Sequence, residues 1–331
     1  MKIFFLKTTF YLKRKTVILQ GQRRYRQIIG GIKMKCALVG WGYWGKIVER
    51  YIRGNETFTI KYIYDPHISA ELEFHTILDD NEIECVFVCT PINTHYQVVK
   101  DLINHGKHVF CEKPLCNRVT EIDELYHIAY KKNVCIYTDY IYTNSMAINY
   151  LKDNIEQIGN IKYVNARIKQ FGNFYREDNC YEVIGVHMIS AIIYILEKYN
   201  MDLLDIVSIH NIRINSNSNK VSAGIINFIL DRQITGQIEC SLVSSNKVRT
   251  LEFIGEKGNI VFDMLSDNTI KMTLVEEDDY RYSIVEKNIY FDETNNLRYA
   301  ISAFAEEVKA EVRNNIKLSL RVTQILEKLK Y

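Results

Sequence analysis

Two kinds of hydrophobic pattern alternate along residues 35–138. Short apolar runs are followed by longer stretches in which apolar residues recur at helical spacing, as Ile47, Val48 and Ile52 do. The runs predict buried strands over 35–39, 58–64, 84–89, 107–111 and 134–138. A regular succession of strand and helix predicts a doubly wound parallel sheet, which makes the first part of the chain α/β.

From residue 161 onward the pattern changes to consecutive short strands separated by polar turns. We predict strands over 161–170, 206–215, 221–230, 234–243, 248–255, 259–263, 270–275 and 282–290, and closing helices over 297–313 and 318–330. Consecutive strands pair antiparallel, so we expect an α+β domain with a large, mostly antiparallel open sheet. The predicted domains are therefore 34–144, a nucleotide-binding domain, and 145–331, a substrate and oligomerisation domain.

The first 33 residues differ in charge from the rest. They hold nine of the 42 basic residues and no acid, so the remainder carries 33 basic against 40 acidic residues, a net charge of −7. That division excludes nucleic acid as the partner implied by the overall charge of +2. A targeting or membrane-surface peptide is one interpretation. We favour a poorly ordered, dispensable basic leader that ends before Met34.

Composition narrows the remaining classes. The chain has 331 residues, of which 47% are hydrophobic, and no apolar stretch reaches the roughly 18 residues that span a bilayer. Its eight cysteines include no C-x-x-C pair, which indicates free thiols in a reducing cytoplasm and predicts no metal site. We therefore expect a globular cytoplasmic protein of about two domains.

A glycine-rich turn joins the first predicted strand of the parallel sheet to its helix. The segment Gly40-Trp41-Gly42-Tyr43-Trp44-Gly45 has the spacing G-x-G-x-x-G. In a Rossmann fold the first glycine allows the tight turn, the second lets the backbone approach a pyrophosphate, and the third lets helix and strand pack closely. Methyltransferases also use glycine-rich turns, so this motif alone leaves that class open.

An acid ends the second strand. Asp65 lies twenty residues after Gly45 and precedes a proline. An acid at this place accepts hydrogen bonds from the ribose hydroxyls of an adenosine and repels a 2′-phosphate, which favours NAD over NADP. The alternative is a turn-forming Asp-Pro pair without a ligand.

Two further motifs follow strand ends. Thr90-Pro91-Ile92-Asn93-Thr94-His95 comes after the third strand, and Cys111-Glu112-Lys113-Pro114 ends the fourth. Proline cannot donate a ladder hydrogen bond, so the fourth strand stops near Glu112 and Lys113 projects from a carboxyl end, where open parallel sheets bind ligands. Apolar surroundings there would lower the pKa of this lysine.

In this order and spacing the motifs resemble the glucose-fructose oxidoreductase, inositol dehydrogenase and MocA family. The resemblance continues through 158–161, 185–187 and 296–298, and residues 138–147 and 167–190 are most similar to the branch that acts on nucleotide-linked sugars for surface polysaccharides. It implies an NAD-dependent dehydrogenase or reductase acting on a secondary hydroxyl or ketone of a sugar or nucleotide sugar. It also implies a homodimer or homotetramer.

The resemblance assigns roles to particular residues. Lys113 would polarise the substrate oxygen, and His187 would exchange the hydroxyl proton, since an imidazole titrates near neutral pH. Weaker matches suggest substrate contacts for Tyr142, Arg167 and Asn179. The implied cofactor-binding residues are Gly40, Gly42, Tyr43, Trp44, Gly45, Asp65, Thr90, Pro91, Asn93, His95, Glu112 and Lys113.

One position departs from the family pattern. The family has an aspartate four residues before the histidine, on the same helix face, and this chain has Val183. Glu182 lies five residues away and about 140° round an α-helix, so it is no simple replacement. Glu177 or Asp178 could supply the acid from the preceding loop. The alternative function is therefore a catalytically weakened NAD-binding regulator or scaffold.

Overall fold

The structure is a computed structural model that describes residues 11–19, 33–68, 72–172, 179–200, 204–214, 220–266, 269–278, 281–291, 295–310 and 315–329. It contains two compact units. The parallel-sheet unit comprises residues 23–145 and 295–331, and the nine-stranded unit comprises 1–22 and 146–294. The observed division at residue 145 lies one residue from the sequence-based boundary. The closing helices, however, group with the first unit and not with the second.

Apart from β1, the strands follow each other in the order that the hydrophobic pattern predicts. The strands are β1 (Tyr11–Leu19), β2 (Met34–Val39), β3 (Phe58–Tyr64), β4 (Cys85–Val88), β5 (His108–Glu112), β6 (Ile136–Asp139), β7 (Ile161–Phe171), β8 (Leu204–Ile212), β9 (Ala223–Leu230), β10 (Ile234–Ser241), β11 (Val243–Gly255), β12 (Gly258–Asp263), β13 (Thr269–Asp278) and β14 (Arg281–Phe291). The helices are α1 (Tyr43–Arg53), α2 (Phe74–Asp79), α3 (Ile92–Asn104), α4 (Val119–Lys132), α5 (Met146–Asn154), α6 (Val186–Ile195), α7 (Asn296–Ala310) and α8 (Ile316–Lys328).

The parallel-sheet unit has the predicted doubly wound architecture. Its five strands are all parallel, in the order β3-β2-β4-β5-β6. Strand β4 is buried along its whole length, as expected for an apolar run covered on both faces. One face of the sheet packs against α2, α3, α4 and α8, and the other packs against α1 and α7. All five carboxyl ends therefore meet at one edge of the sheet.

Helix α7 is held on the sheet by one aromatic side chain. The ring of Phe304 lies 5.9 Å from Phe58, 5.6 Å from Phe87, 5.7 Å from Phe110 and 6.1 Å from Tyr137, measured between ring centroids. These residues come from β3, β4, β5 and β6, so a single buried phenyl ring contacts four strands. This packing explains why α7 belongs to the first unit although it follows the second in sequence.

The nine-stranded unit is an open sheet with the order β1-β14-β13-β12-β11-β7-β10-β9-β8. Its neighbours pair antiparallel, apart from β7 with β10 and β1 with β14, which are parallel. The predicted mostly antiparallel sheet is confirmed.

Strand β1 lies inside the segment that the sequence predicts to be a poorly ordered leader. Its backbone pairs with all of β14, from Tyr11 opposite Ser283 to Leu19 opposite Phe291. The density of basic residues concealed a β-forming run at 16–19, and pairing with β14 covers a strand that would otherwise be the edge of the sheet. The rest of the predicted leader, up to residue 32, lies outside the described residues.

We predict that Phe304→Ala destabilises the protein by about 3–5 kcal/mol, because it leaves a cavity between α7 and four strands. Urea unfolding followed by circular dichroism measures this loss. Tyr130→Ala removes an aromatic ring that is 75% exposed on α4, and its effect should stay within about 0.5 kcal/mol. Equal effects of the two substitutions would contradict the anchoring role of Phe304.

Candidate active site

The glycine-rich turn has the geometry that dinucleotide binding requires. Gly40 has φ +93°, and a Cβ on it would lie 2.7 Å from the Cys89 carbonyl. A Cβ on Gly45 would lie 2.1 Å from the carbonyl oxygen of Gly40, so helix and strand approach too closely for any side chain there. A Cβ on Gly42 would meet nothing within 4 Å. The first and third glycines therefore fix the turn, and the second borders open space.

Helix α1 directs its amino end at this space. Gly42 precedes the helix, and the first turn carries no acidic residue. The side chain of Tyr43 is 84% exposed. Because the first N–H groups of a helix lack intrahelical partners and carry partial positive charge, this end suits a phosphate group.

Asp65 is tied to the same turn. Its Oδ2 accepts the backbone N–H of Trp41 at 2.8 Å, and its Oδ1 accepts that of His67 at 3.0 Å. Burial raises the pKa of Asp65, but these two hydrogen bonds and the charges of His67 and Lys46 outweigh it, so the pKa lies below its ordinary value. Asp65 is therefore ionised at neutral pH. A carboxylate has about four acceptor positions, which leaves room for ribose hydroxyls.

The loop after β4 forms the next side of the site. Pro91 precedes helix α3, and Asn93 is exposed in the first turn of that helix. The hydroxyl of Thr94 lies 2.7 Å from both Thr90 Oγ1 and the carbonyl oxygen of Pro91. These contacts hold the loop in shape and keep Asn93 at its surface.

His95 braces two loops of the site. It is 1% exposed, and its Nε2 lies 2.8 Å from the carbonyl oxygen of Thr90 while its Nδ1 lies 3.0 Å from that of Pro114. Both nitrogens are therefore engaged by backbone, whereas the resemblance implies a cofactor contact for this residue. A carbonyl only accepts, so the two hydrogen bonds form together only when the ring carries both protons.

Four residues meet at the end of β5. Glu112 pairs in register with Asp139 of β6, and the indole N–H of Trp44 donates to Glu112 Oε1. Lys113 follows at once and is half-buried, next to a cis peptide bond with Pro114. Sequence reasoning missed Asp139. The signal was present, since Asp139 ends an apolar run as Asp65 and Glu112 do.

The nine-stranded unit carries the remaining candidates. The side chain of Asn179 accepts the backbone N–H groups of Tyr181 and Glu182 at 3.0 and 3.2 Å, and Glu182 Oε2 accepts that of Asn179 at 3.3 Å. This reciprocal arrangement is a capping box, which gives Asn179 and the buried Glu182 a structural task. His187 is half-exposed in the first turn of α6.

The helix before His187 differs from the predicted regular α-helix. Tyr181–Gly185 forms a π-helical turn, in which the N–H of Val186 bonds to the carbonyl of Tyr181. A π turn holds one more residue than an α turn, so the angular positions of Glu182 and Val183 relative to His187 differ from those expected. Such turns are frequent at functional sites. The two loop acids at 177 and 178 lie outside the described residues.

The weaker substrate candidates are occupied by contacts within the protein. The Nε of Arg167 on β7 lies 3.1 Å from Glu239, which also pairs with Lys169 at 3.0 Å. Tyr142 is buried in a 3₁₀ turn of the parallel-sheet unit. Lys113 and Tyr142 thus belong to one unit, and Arg167, Asn179 and His187 belong to the other.

The described part of the chain was compared with the arrangements that metal binding, thiol chemistry and membrane spanning require. No group of three or more His, Cys, Asp or Glu side chains there is arranged to hold a metal ion. All eight cysteines are free thiols, and burial raises the pKa of Cys89 and Cys111 at the strand ends well above its usual value. No helix of the described residues is long and apolar enough to cross a membrane.

Comparisons with known proteins agree with this geometry. Residues 34–140 match the model of the Gfo/Idh/MocA oxidoreductase family, described as an NAD-binding Rossmann fold. Over these residues the chain is similar to that family. An uncharacterized oxidoreductase of Streptococcus pneumoniae is 31% identical over 145 residues, which cover 40% of each chain. The chain thus matches less than half the length of this curated relative.

Solved structures show the fold over most of the chain. A 3-ketoreductase from Actinomadura kijaniata, in complex with NADP and TDP-benzene, has a TM-score of 0.77 at 15% identity, covering 89% of this chain and 96% of the other. UDP-N-acetylglucosamine 3-dehydrogenase from Acidithiobacillus ferrooxidans has a TM-score of 0.75 at 17% identity, covering 91% and 97%. The predicted architecture of both units is confirmed by this similarity.

We predict that alanine affects stability at one glycine of the turn and NADH binding at another. Gly45→Ala forces its Cβ against the Gly40 carbonyl and should lower the melting temperature. Gly42→Ala should leave stability unchanged but weaken NADH binding by about tenfold, equal to about 1.4 kcal/mol, because it fills the space for the pyrophosphate.

Calorimetry and fluorescence titration separate the two effects. Gly54→Ala is the matched control at the far end of α1, where the nearest atom is 3.4 Å from the new Cβ. Undiminished NADH binding in Gly42→Ala would show that no pyrophosphate approaches this turn.

Proposed function

We propose that this protein is an NAD-dependent oxidoreductase that transfers hydride between nicotinamide and a secondary hydroxyl or ketone of a sugar or nucleotide sugar. The observation that carries the proposal is the glycine turn, with a closed first and third position and an open second one, inside the segment that matches the family. The sugar-nucleotide class is supported by the 3-ketoreductase and the 3-dehydrogenase that share the fold. We propose surface polysaccharide synthesis as the process that this activity serves.

The proposed chemistry uses Lys113 and His187. Lys113 donates a hydrogen bond to the substrate oxygen and stabilises the negative charge that develops there. His187 takes the hydroxyl proton in oxidation and returns it in reduction. The nicotinamide, when bound, supplies the redox chemistry as hydride acceptor or donor.

The nine-stranded sheet supports a proposed homodimer or homotetramer. Several of its strands expose large apolar side chains, which is unusual for a surface that stays in water. They are Phe171, Val207, Ile212, Ile229, Ile254, Val275 and Tyr290. Pairing of this sheet with a second copy would cover them.

We propose that the cofactor is NAD and not NADP, because the ionised Asp65 stands at the end of β3. We predict that NADH binds much more tightly than NADPH, and that Asp65→Ser raises NADPH affinity by about tenfold or more by removing a like-charge repulsion. Quenching of Trp41 and Trp44, the chain's two tryptophans, reports both titrations.

The control for this experiment is Asp123→Ser, which removes an exposed acid from α4. It should leave both affinities unchanged. Equal affinity of the native protein for the two cofactors would remove Asp65 from the cofactor site.

A weakened regulator or scaffold is the second candidate, favoured by two observations. Val183 stands where the family has an acid, and the neighbouring Glu182 is already used in the capping box. If no other acid serves His187, the proton relay is attenuated while dinucleotide binding is kept.

We predict that His187→Asn abolishes turnover of a sugar or nucleotide-sugar panel and leaves NADH affinity nearly unchanged, since its side chain serves proton transfer. Lys113→Met should act similarly, with an added loss of substrate affinity. Val183→Asp should raise the rate if the site is attenuated. Steady-state kinetics monitored through NADH absorbance measure these effects.

Matched controls are His127→Asn and Lys131→Met, both exposed on α4. They should retain native rates. The enzyme proposal is wrong, and the scaffold proposal replaces it, if the native protein turns over no member of the panel and none of His187→Asn, Lys113→Met and Val183→Asp changes the rate.

A further inference from the structure

Asp139 is a buried acid to which the proposed reaction gives no task. It is 1% exposed at the end of β6, and neither carboxyl oxygen has a hydrogen-bond donor among the described residues. The group that faces it is another carboxyl, that of Glu112, its register partner on β5. Two ionised carboxylates cannot hydrogen bond to each other, and an unpaired buried charge is costly. A proton between them resolves both problems.

The surroundings decide which residue holds the proton. Glu112 accepts the indole N–H of Trp44 and the backbone N–H of Lys113, and it lies beside the Lys113 charge. Burial raises the pKa of Glu112 as well, but the Lys113 charge and these donors lower it, whereas Asp139 has only the Lys113 charge in its favour. Burial, followed by the charge of Glu112 and the hydrogen bond with it, raises the pKa of Asp139 well above its usual value. The third titratable neighbour is the Cys89 thiol just after β4, which burial keeps neutral.

Helix α8 fixes the strand that carries Asp139. The side-chain amide of Asn315 donates to the Thr138 carbonyl at 2.7 Å and accepts the Thr138 N–H at 3.3 Å, as a neighbouring strand would. Ser319 donates to Thr138 Oγ1 at 3.1 Å. Because β6 is an edge strand, these contacts stand in for the missing neighbour and hold Asp139 against Glu112.

We propose that Asp139 is a positioning residue for Lys113: it shares one proton with Glu112, so that the acid pair carries a single negative charge facing the lysine ammonium. Asp139 donates its O–H to Glu112, and Glu112 in turn orients and neutralises Lys113. The catalytic meaning of this arrangement rests on the proposed function of Lys113, but the shared proton does not.

Labelling of Lys113 tests the charge of the pair in the full-length protein. The pH dependence of its acetylation by acetic anhydride is followed by mass spectrometry of the peptide that contains it. Asp139→Asn keeps a neutral donor and should leave the labelling midpoint unchanged. The double variant Glu112→Gln/Asp139→Asn removes the counter-charge and should lower the midpoint by about 1–3 pH units. A lowered midpoint in Asp139→Asn would mean that both acids are ionised, which overturns the proposal.

The pH dependence of unfolding tests the proton itself. An Asp whose pKa is raised by folding keeps its proton in the native state, while the unfolded chain releases it above about pH 4. Stability from this group is therefore full at low pH and falls as pH rises toward the native pKa. Between about pH 5 and 7 the unfolding constant of the native protein should rise about tenfold per pH unit relative to that of Asp139→Asn.

Asp123→Asn is the control for this measurement and should keep the native slope. Equal slopes for the native protein and Asp139→Asn would overturn the proposal. If Asp139→Asn does not fold, an infrared spectrum of the native protein tests the proposal. At pH 7 the native protein with ¹³C-labelled aspartate should show the carbonyl stretch of a protonated, buried aspartic acid. Its absence would overturn the proposal as well.

None of these measurements requires turnover. A protein that shows the shared proton but oxidises no sugar would remove the proposed function and keep the acid pair. A protein that oxidises sugars with both acids ionised would do the reverse.

Discussion

The 2.1 Å that would separate a Cβ on Gly45 from the Gly40 carbonyl is the constraint on which the candidate site depends. Because no side chain fits there, α1 begins directly against the end of β2. The two tryptophans of the turn contact acids that follow or end different strands. The backbone of Trp41 bonds to Asp65 at the end of β3, and the indole of Trp44 bonds to Glu112 at the end of β5. One tight turn thus orients two of the three acids at this edge of the parallel sheet, Asp65 and Glu112.

The other side of that edge is held by groups far apart in sequence. His95 links the carbonyls of Thr90 and Pro114, and Asn315 completes the edge of β6 at Thr138. Asn315 immediately precedes α8, which follows every strand of the nine-stranded sheet in the sequence. The parallel-sheet site is therefore finished by the end of the chain, although its motifs all lie before residue 140.

Sequence reasoning succeeded where burial imposes a pattern and failed where contacts are non-local. The five parallel strands were predictable because both of their faces are buried, and the places of Asp65 and Lys113 just after strands were predictable from the proline that follows each of them. Helix α7 belongs to its unit because of the contacts of Phe304. His95 links two loops because its ring nitrogens contact two distant carbonyls. The role of Asp139 depends on its register with Glu112. These contacts cannot be read from neighbouring residues, although Asp139 does end an apolar run. Strand β1 was missed because its basic residues interrupt the apolar pattern. The π turn was missed because no hydrophobic periodicity in the sequence is specific to π turns.

The proton chemistry of the proposed site differs from that of a simple lysine and histidine pair. Val183 stands in place of the family acid, and Glu182 is bound to the backbone of Asn179. Lys113, by contrast, stands beside two carboxyl groups. A single shared proton on that pair leaves one negative charge to hold the ammonium in its charged form. In the proposed mechanism a charged Lys113 donates to the substrate oxygen without waiting for a proton from His187, so the acid pair would sustain polarisation of the substrate even with a weak histidine relay.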